Sequence, residues 1–509
     1  MRRNGVLMHL SSLPGSQGIG SMGREAYDFV NFLEKAGQSV WQLLPVVPTS
    51  YGDSPYASFS TFAGNPYFID LDMLAEDGLL EKSEYEDLDW GASPESVDYG
   101  ALYRNRTKVL RKAVSRLLKN KPDDYYEFLE ENYDWLPDYA LFMALKDKNG
   151  GKSWLEWNDD EKNYGSEAVT RLAEKYREDV DFYEAVQYLF FKQWKDLRKY
   201  ANDKGIDIIG DLPIYVALDS VDAWSHPELF QLDADRTPVA VAGCPPDGFS
   251  ADGQLWANPL YDWDYHKKTG YDWWLRRIQY LTKLYNIVRI DHFRGFDSYY
   301  AIPYGATTAK NGEWKKGPGM DLFNKVSKHV PEGKIIAEDL GFLTDSVRKL
   351  LKDTGYPGMK ILQFAFDSRD GNSNEYLPFN YPVNSVAYTG THDNQTVKGW
   401  FESAPLDSVK FAEEYLRIDG EDSDEDRNWI MMRELMASPA GLSILTAQDL
   451  LCLGDESRMN TPSTVGSNWT WRALPGVFTD ELAHKLRDYT NMYGRLPQKP
   501  ECVPCESAE

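Results

Sequence analysis

Eight short apolar runs constrain the fold of this chain more than any other feature. They occupy residues 6–10, 40–46, 206–209, 287–290, 335–337, 359–366, 385–388 and 444–447, and helix-like stretches separate many of them. A run that is apolar at every position suits a strand whose sheet is covered on both faces. Eight such strands, mostly alternating with helices, predict an α/β chain folded as a (β/α)8 TIM barrel, with a doubly wound open sheet as the alternative. A length of 509 residues suggests about three domains, but one barrel with insertions accounts for it as a single unit spanning 1–509. The rhythm breaks after the second run. Residues 52–184 are acidic, aromatic and helical in pattern, which predicts a mostly helical subdomain inserted after strand 2. Residues 217–285 read as a second insertion, after strand 3, carrying an active-site loop, and residues 497–509 as a tail. The acidic run 421–426 reads as a solvated loop or a helix start, not an ion site.

Composition removes several classes of function. The chain carries 55 basic against 80 acidic residues, a net charge of −25, so a basic face for nucleic acid or for an anionic membrane is not to be expected. No stretch approaches the roughly 18 apolar residues of a membrane span. The first apolar run is stopped by His9 and Ser11-Ser12-Leu13-Pro14, too soon for a signal-peptide core. Four cysteines, Cys244, Cys452, Cys502 and Cys505, do not make a disulfide framework, and the last pair has no further ligands nearby for zinc. A reducing cytoplasm is the expected location. Aromatic residues reach 14% of the chain. Flat rings stack on the apolar faces of sugars, although ordinary core packing takes up many of them.

One motif misleads. Gly18-Ile19-Gly20-Ser21-Met22-Gly23 fits the dinucleotide pattern G-x-G-x-x-G. Such a loop should leave its strand directly, whereas Pro14 intervenes here, and the second run ends in Pro45-Val46-Val47 with no acidic residue for a ribose. A glycine-rich barrel loop is the better reading, and no cofactor is expected.

Carboxylates end several of the runs. In a barrel, chemistry sits at the C-terminal ends of the strands, and successive side chains alternate between inside and outside. In Ile287-Val288-Arg289-Ile290-Asp291, Arg289 and Asp291 therefore share a side. A guanidinium so close lowers a carboxylate's pKa and keeps it ionised, as a nucleophile requires, although a buried structural pair has the same spacing. Glu338 follows 335–337; desolvation and a neighbouring carboxylate can raise its pKa so that it serves as a general acid. Asp393 follows His392 after 385–388, and Asp211 follows 206–209. A nucleophile, an acid/base and a third carboxylate suit glycoside chemistry, whereas helix capping explains at most one or two of them. No metal is required.

Beyond these residues the chain resembles the 4-α-glucanotransferases, the amylomaltase or disproportionating-enzyme family, glycoside hydrolase family 77. The motifs run in order: Ser12-Leu13-Pro14-Gly15, Trp41-Gln42-Leu43-Leu44-Pro45, Tyr51-Gly52-Asp53-Ser54-Pro55-Tyr56, Gly210-Asp211-Leu212-Pro213, Pro245-Pro246-Asp247-Gly248-Phe249-Ser250, Gln254-Leu255-Trp256-Ala257-Asn258-Pro259, Ala337-Glu338-Asp339-Leu340-Gly341, Thr391-His392-Asp393-Asn394 and Arg458-Met459-Asn460-Thr461-Pro462. The resemblance implies a retaining transglycosylase with Asp291 as nucleophile, Glu338 as acid/base and Asp393 as transition-state stabiliser. It implies that Tyr56, Asp211, Asp247, Gln254, Trp256, Asp367 and Asn460 line the glucan groove, with Arg289, His292 and His392 supporting the carboxylates. Tyr51 matches a second glucan-binding spot on the surface. The partners so implied are maltooligosaccharides and α-1,4-glucans derived from starch or glycogen.

Three positions depart from the family pattern. Ala257, Cys452 and Ser463 stand where glycine is usual, and each adds a side chain that restricts the backbone. The implied reaction passes through a covalent glucosyl-enzyme, with the two carboxyls about 5–5.5 Å apart. Residues 245–256 are the expected lid, with Phe249 and Trp256 excluding water. The rival readings are a hydrolase of the α-amylase clan and a non-catalytic glucan-binding protein.

Overall fold

The computed structural model describes residues 2–165, 167–246, 251–341, 343–367 and 374–497. All eight runs form parallel strands of one sheet: β1 (Arg3–Leu7), β2 (Val40–Gln42), β3 (Asp207–Leu212), β4 (Ile287–Ile290), β5 (Ile335–Ala337), β6 (Gly358–Ile361), β7 (Ser385–Tyr388) and β8 (Leu442–Thr446). Neighbours follow chain order from β1 to β5 and from β6 to β8, and β8 pairs back onto β1. Between β5 and β6, Ala337 N–H donates to Pro357 O at 2.9 Å, so the ring is nearly closed and the open-sheet alternative falls away. Strand boundaries shift where the chain turns. The third run extends to Leu212 and so takes Asp211 into the strand, whereas the sixth stops at Ile361 and winds into the 3-10 turn Leu362–Phe366.

The outer layer follows from helical periodicity. In the helix Arg24–Lys35, Ala26, Phe29, Val30 and Leu33 are buried at the spacing of one helical face. Between β2 and β3 lie the helices Tyr99–Leu117, Asp123–Glu131, Leu136–Lys148, Glu167–Lys175 and the 27-residue Arg177–Asp203, which carries the chain back to β3. Trp154 is fully buried there and Trp157 nearly so, as core residues. The acidic run leads into the helix Asp424–Ala437, where Ser423 and Asp426 form a capping box.

An antiparallel sheet lies beside the barrel mouth, and no periodicity announces it. Its strands run in the order Gln254–Pro259, Ala240–Cys244, Ser298–Pro303 and Glu313–Lys316. Of the expected lid, residues 254–256 open the strand Gln254–Pro259, and residues 247–250 lie outside the described residues.

The glycine motif is a packing device. A Cβ on Gly20 would lie 1.9 Å from Leu10 O. The start of the helix after Gly23 already faces a carboxylate, because Asp70 accepts from Ser21 Oγ at 2.6 Å and would meet a Cβ on Gly23 at 2.1 Å. An anion site there would clash with that charge.

Candidate active site

The register of β3 against β4 builds the centre of the site. Asp211 and Arg289 are paired across the two strands, so their side chains share a face. Arg289 Nη1 donates to both oxygens of Asp211, at 2.8 and 2.7 Å, and Nη2 lies 2.9 Å from Asp291 Oδ1. The contact expected from the spacing of Arg289 and Asp291 is therefore present. Its electrostatic effect differs from expectation. One guanidinium serves two carboxylates, and burial outweighs it: burial, with Asp211 and Glu338 close by, pushes Asp291 up to about 7 against the pull of Arg289.

Asp211 does not line the groove as expected. Its side chain is fully buried, and Tyr56 OH donates to its Oδ2 at 2.7 Å. Its lone pairs are spent on Arg289 and Tyr56. The side chains of Arg289 and His392 are also buried, 4% and 6% exposed, whereas Asp291 keeps 28% and Asp393 44% exposure toward the mouth.

Glu338 follows β5, whose neighbour is β4. The N–H of His292, the residue after Asp291, donates to Glu338 Oε2 at 2.7 Å, and the N–H of Leu340 donates to Oε1 at 2.8 Å. His292 manages this because its backbone is left-handed, φ 51°, before the short turn Phe293–Phe296. Burial, with Arg294 nearby, drives its imidazole down to about 3, so the ring is neutral. Trp256 meets that ring edge to face, centroids 4.8 Å apart, and donates from Nε1 to Gln254 Oε1 at 3.0 Å. Three expected residues thus form one wall.

Asp393 follows β7. Burial raises its carboxyl, but His392 Nε2 at 3.3 Å and Asn460 Nδ2 at 2.6 Å win and bring it down to about 2. Asp393 in turn raises His392 against burial. The rings of Tyr56 and His392 stack at 5.0 Å and 17°. Asp367 lies half-buried after the turn beyond β6. Tyr51 is 98% exposed. Asp247, Phe249, Cys502 and Cys505 lie outside the described residues.

Arg458 is a site residue that the carboxylate pattern does not disclose. It donates from Nη2 to Asp393 O at 2.5 Å and from Nε to Asn460 O at 2.9 Å, which fixes the loop that carries Asn460. Its only signal was its place two residues before Asn460. Ala257, Cys452 and Ser463, with φ of 62°, 52° and 64°, all occupy the left-handed region.

Comparison with known proteins gives the family. A family model described as 4-alpha-glucanotransferase, glycoside hydrolase family 77, matches residues 8–476. The chain is 52% identical over 490 residues to a 4-alpha-glucanotransferase of Clostridium butyricum, covering 96% of this chain and 100% of that protein. It is 45% identical over 504 residues to one of Thermus thermophilus, covering 97% and 99%. The solved amylomaltase from Streptococcus agalactiae, in complex with acarbose, superposes with a TM-score of 0.94 at 45% identity, covering 98% of this chain and 100% of that one.

Proposed function

The chain belongs to the 4-α-glucanotransferase family, enzymes that act by transglycosylation between α-1,4-glucans, and we propose from that premise which residues perform the reaction here. Asp291 attacks the anomeric carbon of an α-1,4 linkage. Glu338 gives its proton to the departing glycosidic oxygen, and a covalent glucosyl-enzyme forms on Asp291. Glu338, now a base, takes the proton of the 4-hydroxyl of an acceptor glucan, whose oxygen displaces Asp291. Two inversions restore the α-linkage. Asp393 stays ionised and steadies the positive charge that develops on the sugar ring.

The observation that carries this reading is the convergence of Asp291, Glu338 and Asp393 at the ends of β4, β5 and β7, with Glu338 held by the N–H next to Asp291. Attack requires ionised Asp291, which places an acid limb in the rate profile near neutral pH. Trp256 belongs to the acceptor side and excludes water, with Gln254, Asp367 and Asn460 toward the glucan; the resemblance alone adds Asp247 to them. The substrates are maltooligosaccharides and related α-1,4-glucans. The same reading takes the chain as one catalytic barrel with insertions at 52–184 and 217–285, working in the cytoplasm.

Incubation with maltotriose tests it. The expected products are glucose together with a ladder of longer glucans. Simple shortening of the substrate would assign hydrolysis instead.

A further inference from the structure

Arg289 carries one positive charge and faces two carboxylates. Asp211 is fully buried and accepts from Arg289 Nη1 and from the Tyr56 hydroxyl; Asp291 faces Nη2 at 2.9 Å. We propose that Tyr56 is a positioning residue for the nucleophile: by holding Asp211, its hydroxyl sets what share of the Arg289 charge reaches Asp291. The inference rests on the reading of Asp291 as nucleophile.

The physical basis is competition for a single cation in a buried site. A carboxylate with two donors is better satisfied than one with a single donor. While Tyr56 donates to Asp211, Asp211 makes a smaller demand on the guanidinium. With the hydroxyl gone, Asp211 has the guanidinium alone to satisfy it, and Arg289 is drawn toward it and away from Asp291. The groups facing Asp291 come from five elements: Arg289 on its own strand, Asp211 on β3, Glu338 after β5, His392 after β7, and Tyr56 from the loop after β2. Of these, Tyr56 acts on Asp291 through Asp211. Its ring stacks on His392, which phenylalanine preserves; the hydroxyl's longer contact with His392 Nδ1, at 3.5 Å, goes with the hydroxyl.

The test is a pair of opposite shifts. Tyr56→Phe weakens the hold on Asp211, so Asp291 ionises less readily and the acid limb of kcat/KM moves to higher pH. Asp211→Asn removes the competing charge, so the limb moves to lower pH. Each shift should be about 0.5–1 pH unit, the size of one altered charge contact. General loosening of the site gives no reason for the two to differ in sign. Shifts of the same sign, or no shift, would overturn the proposal. If Asp211→Asn does not fold, Tyr56→Phe alone decides, and an unmoved limb sinks the idea. Inactivation by 5-fluoro-α-D-glucosyl fluoride, followed by peptide mapping, separates this from the premise. A label on Asp291 upholds the nucleophile, so an unmoved limb then counts against Tyr56; a label elsewhere overturns the assignment of Asp291 itself.

Discussion

The two ends of the barrel treat buried polar groups in opposite ways. At the end where the strands begin, Arg495 is fully buried and spends its N–H groups on the carbonyls of Met436 at 2.7 Å, Arg3 at 2.9 Å, and Ser438 and Ala440 at 3.0 Å. Asn4 sits within β1, donates to Gln38 at 2.8 Å and accepts from Ser443 at 2.5 Å. Arg2 Nη2 shares two of those acceptors, Met436 O at 2.5 Å and Ser438 O at 2.7 Å, and both guanidiniums are held by carbonyls with no carboxylate drawn between them. At the end where the strands finish, Asp211 and Asp291 draw on one guanidinium, Glu338 leans on backbone N–H groups, and His292 is strained and neutral. One end is satisfied, and the other is held unsatisfied by its surroundings. That division accords with barrels in general, where the first end serves stability and the second chemistry.

The sharpest way to break the comparison is to remove the unsatisfied charge. Asp291→Asn should lower kcat/KM by about 10⁴-fold or more, since the proposed nucleophile is lost. It should also stabilise the fold. A carboxyl raised to about 7 in the folded state binds a proton more tightly there than in the unfolded chain, where it titrates near 4. Its contribution to stability therefore falls as pH rises from about 4 through about 7. The variant should gain about 1 kcal/mol or more at pH 8, with the gain shrinking by pH 5. Thermal melts at the two pH values check the sign. A loss of stability at pH 8 would mean that the site is as well satisfied as the opposite end.

The converse change strikes the satisfied end. Arg495→Ala takes the side-chain donor from the carbonyls of Arg3 and Ala440, while those of Met436 and Ser438 keep Arg2 Nη2, and should cost about 2–4 kcal/mol by denaturant unfolding. Activity at 25 °C should stay within about twofold, because no group at the mouth depends on Arg495. A loss of kcat/KM without a loss of stability would break the division between the two ends.

The sequence made this division legible only in part. Continuous apolar runs disclosed all eight strands, because a doubly covered strand has no polar face to hide behind. Carboxylates at run ends disclosed Asp291, Glu338 and Asp393. The pairing of Asp211 with Arg289 stayed hidden, since register between strands nearly 80 residues apart leaves no local trace. For that reason the spacing of Arg289 and Asp291 suggested a well-neutralised nucleophile, and Asp211 passed for a groove residue. The antiparallel sheet around 240–244 was missed because its strands do not read as continuous apolar runs: Gly243 interrupts Ala240–Cys244, Gln254–Pro259 is largely half-buried or exposed, and Glu313–Lys316 is charged and mostly exposed.

The smallest effect concerns backbone strain near the mouth. Ala257, Cys452 and Ser463 stand where the family resemblance places glycine, and all three are left-handed. A side chain in that region costs about 1 kcal/mol, while glycine loses roughly 0.4–1 kcal/mol through its freer unfolded chain. Each substitution to glycine should therefore change stability by less than about 1 kcal/mol, in the stabilising direction. Their effects on function should separate. Ala257 adjoins Trp256, whose ring bears on His292, and glycine there frees the wall proposed to exclude water. Ala257→Gly should raise glucose release relative to transfer from maltotriose. Cys452 and Ser463 carry no such ring, so Cys452→Gly and Ser463→Gly should leave that ratio unchanged. Equal ratios in all three variants would show that the strain at Ala257 only costs stability; a change confined to Ala257→Gly would tie that strain to the exclusion of water.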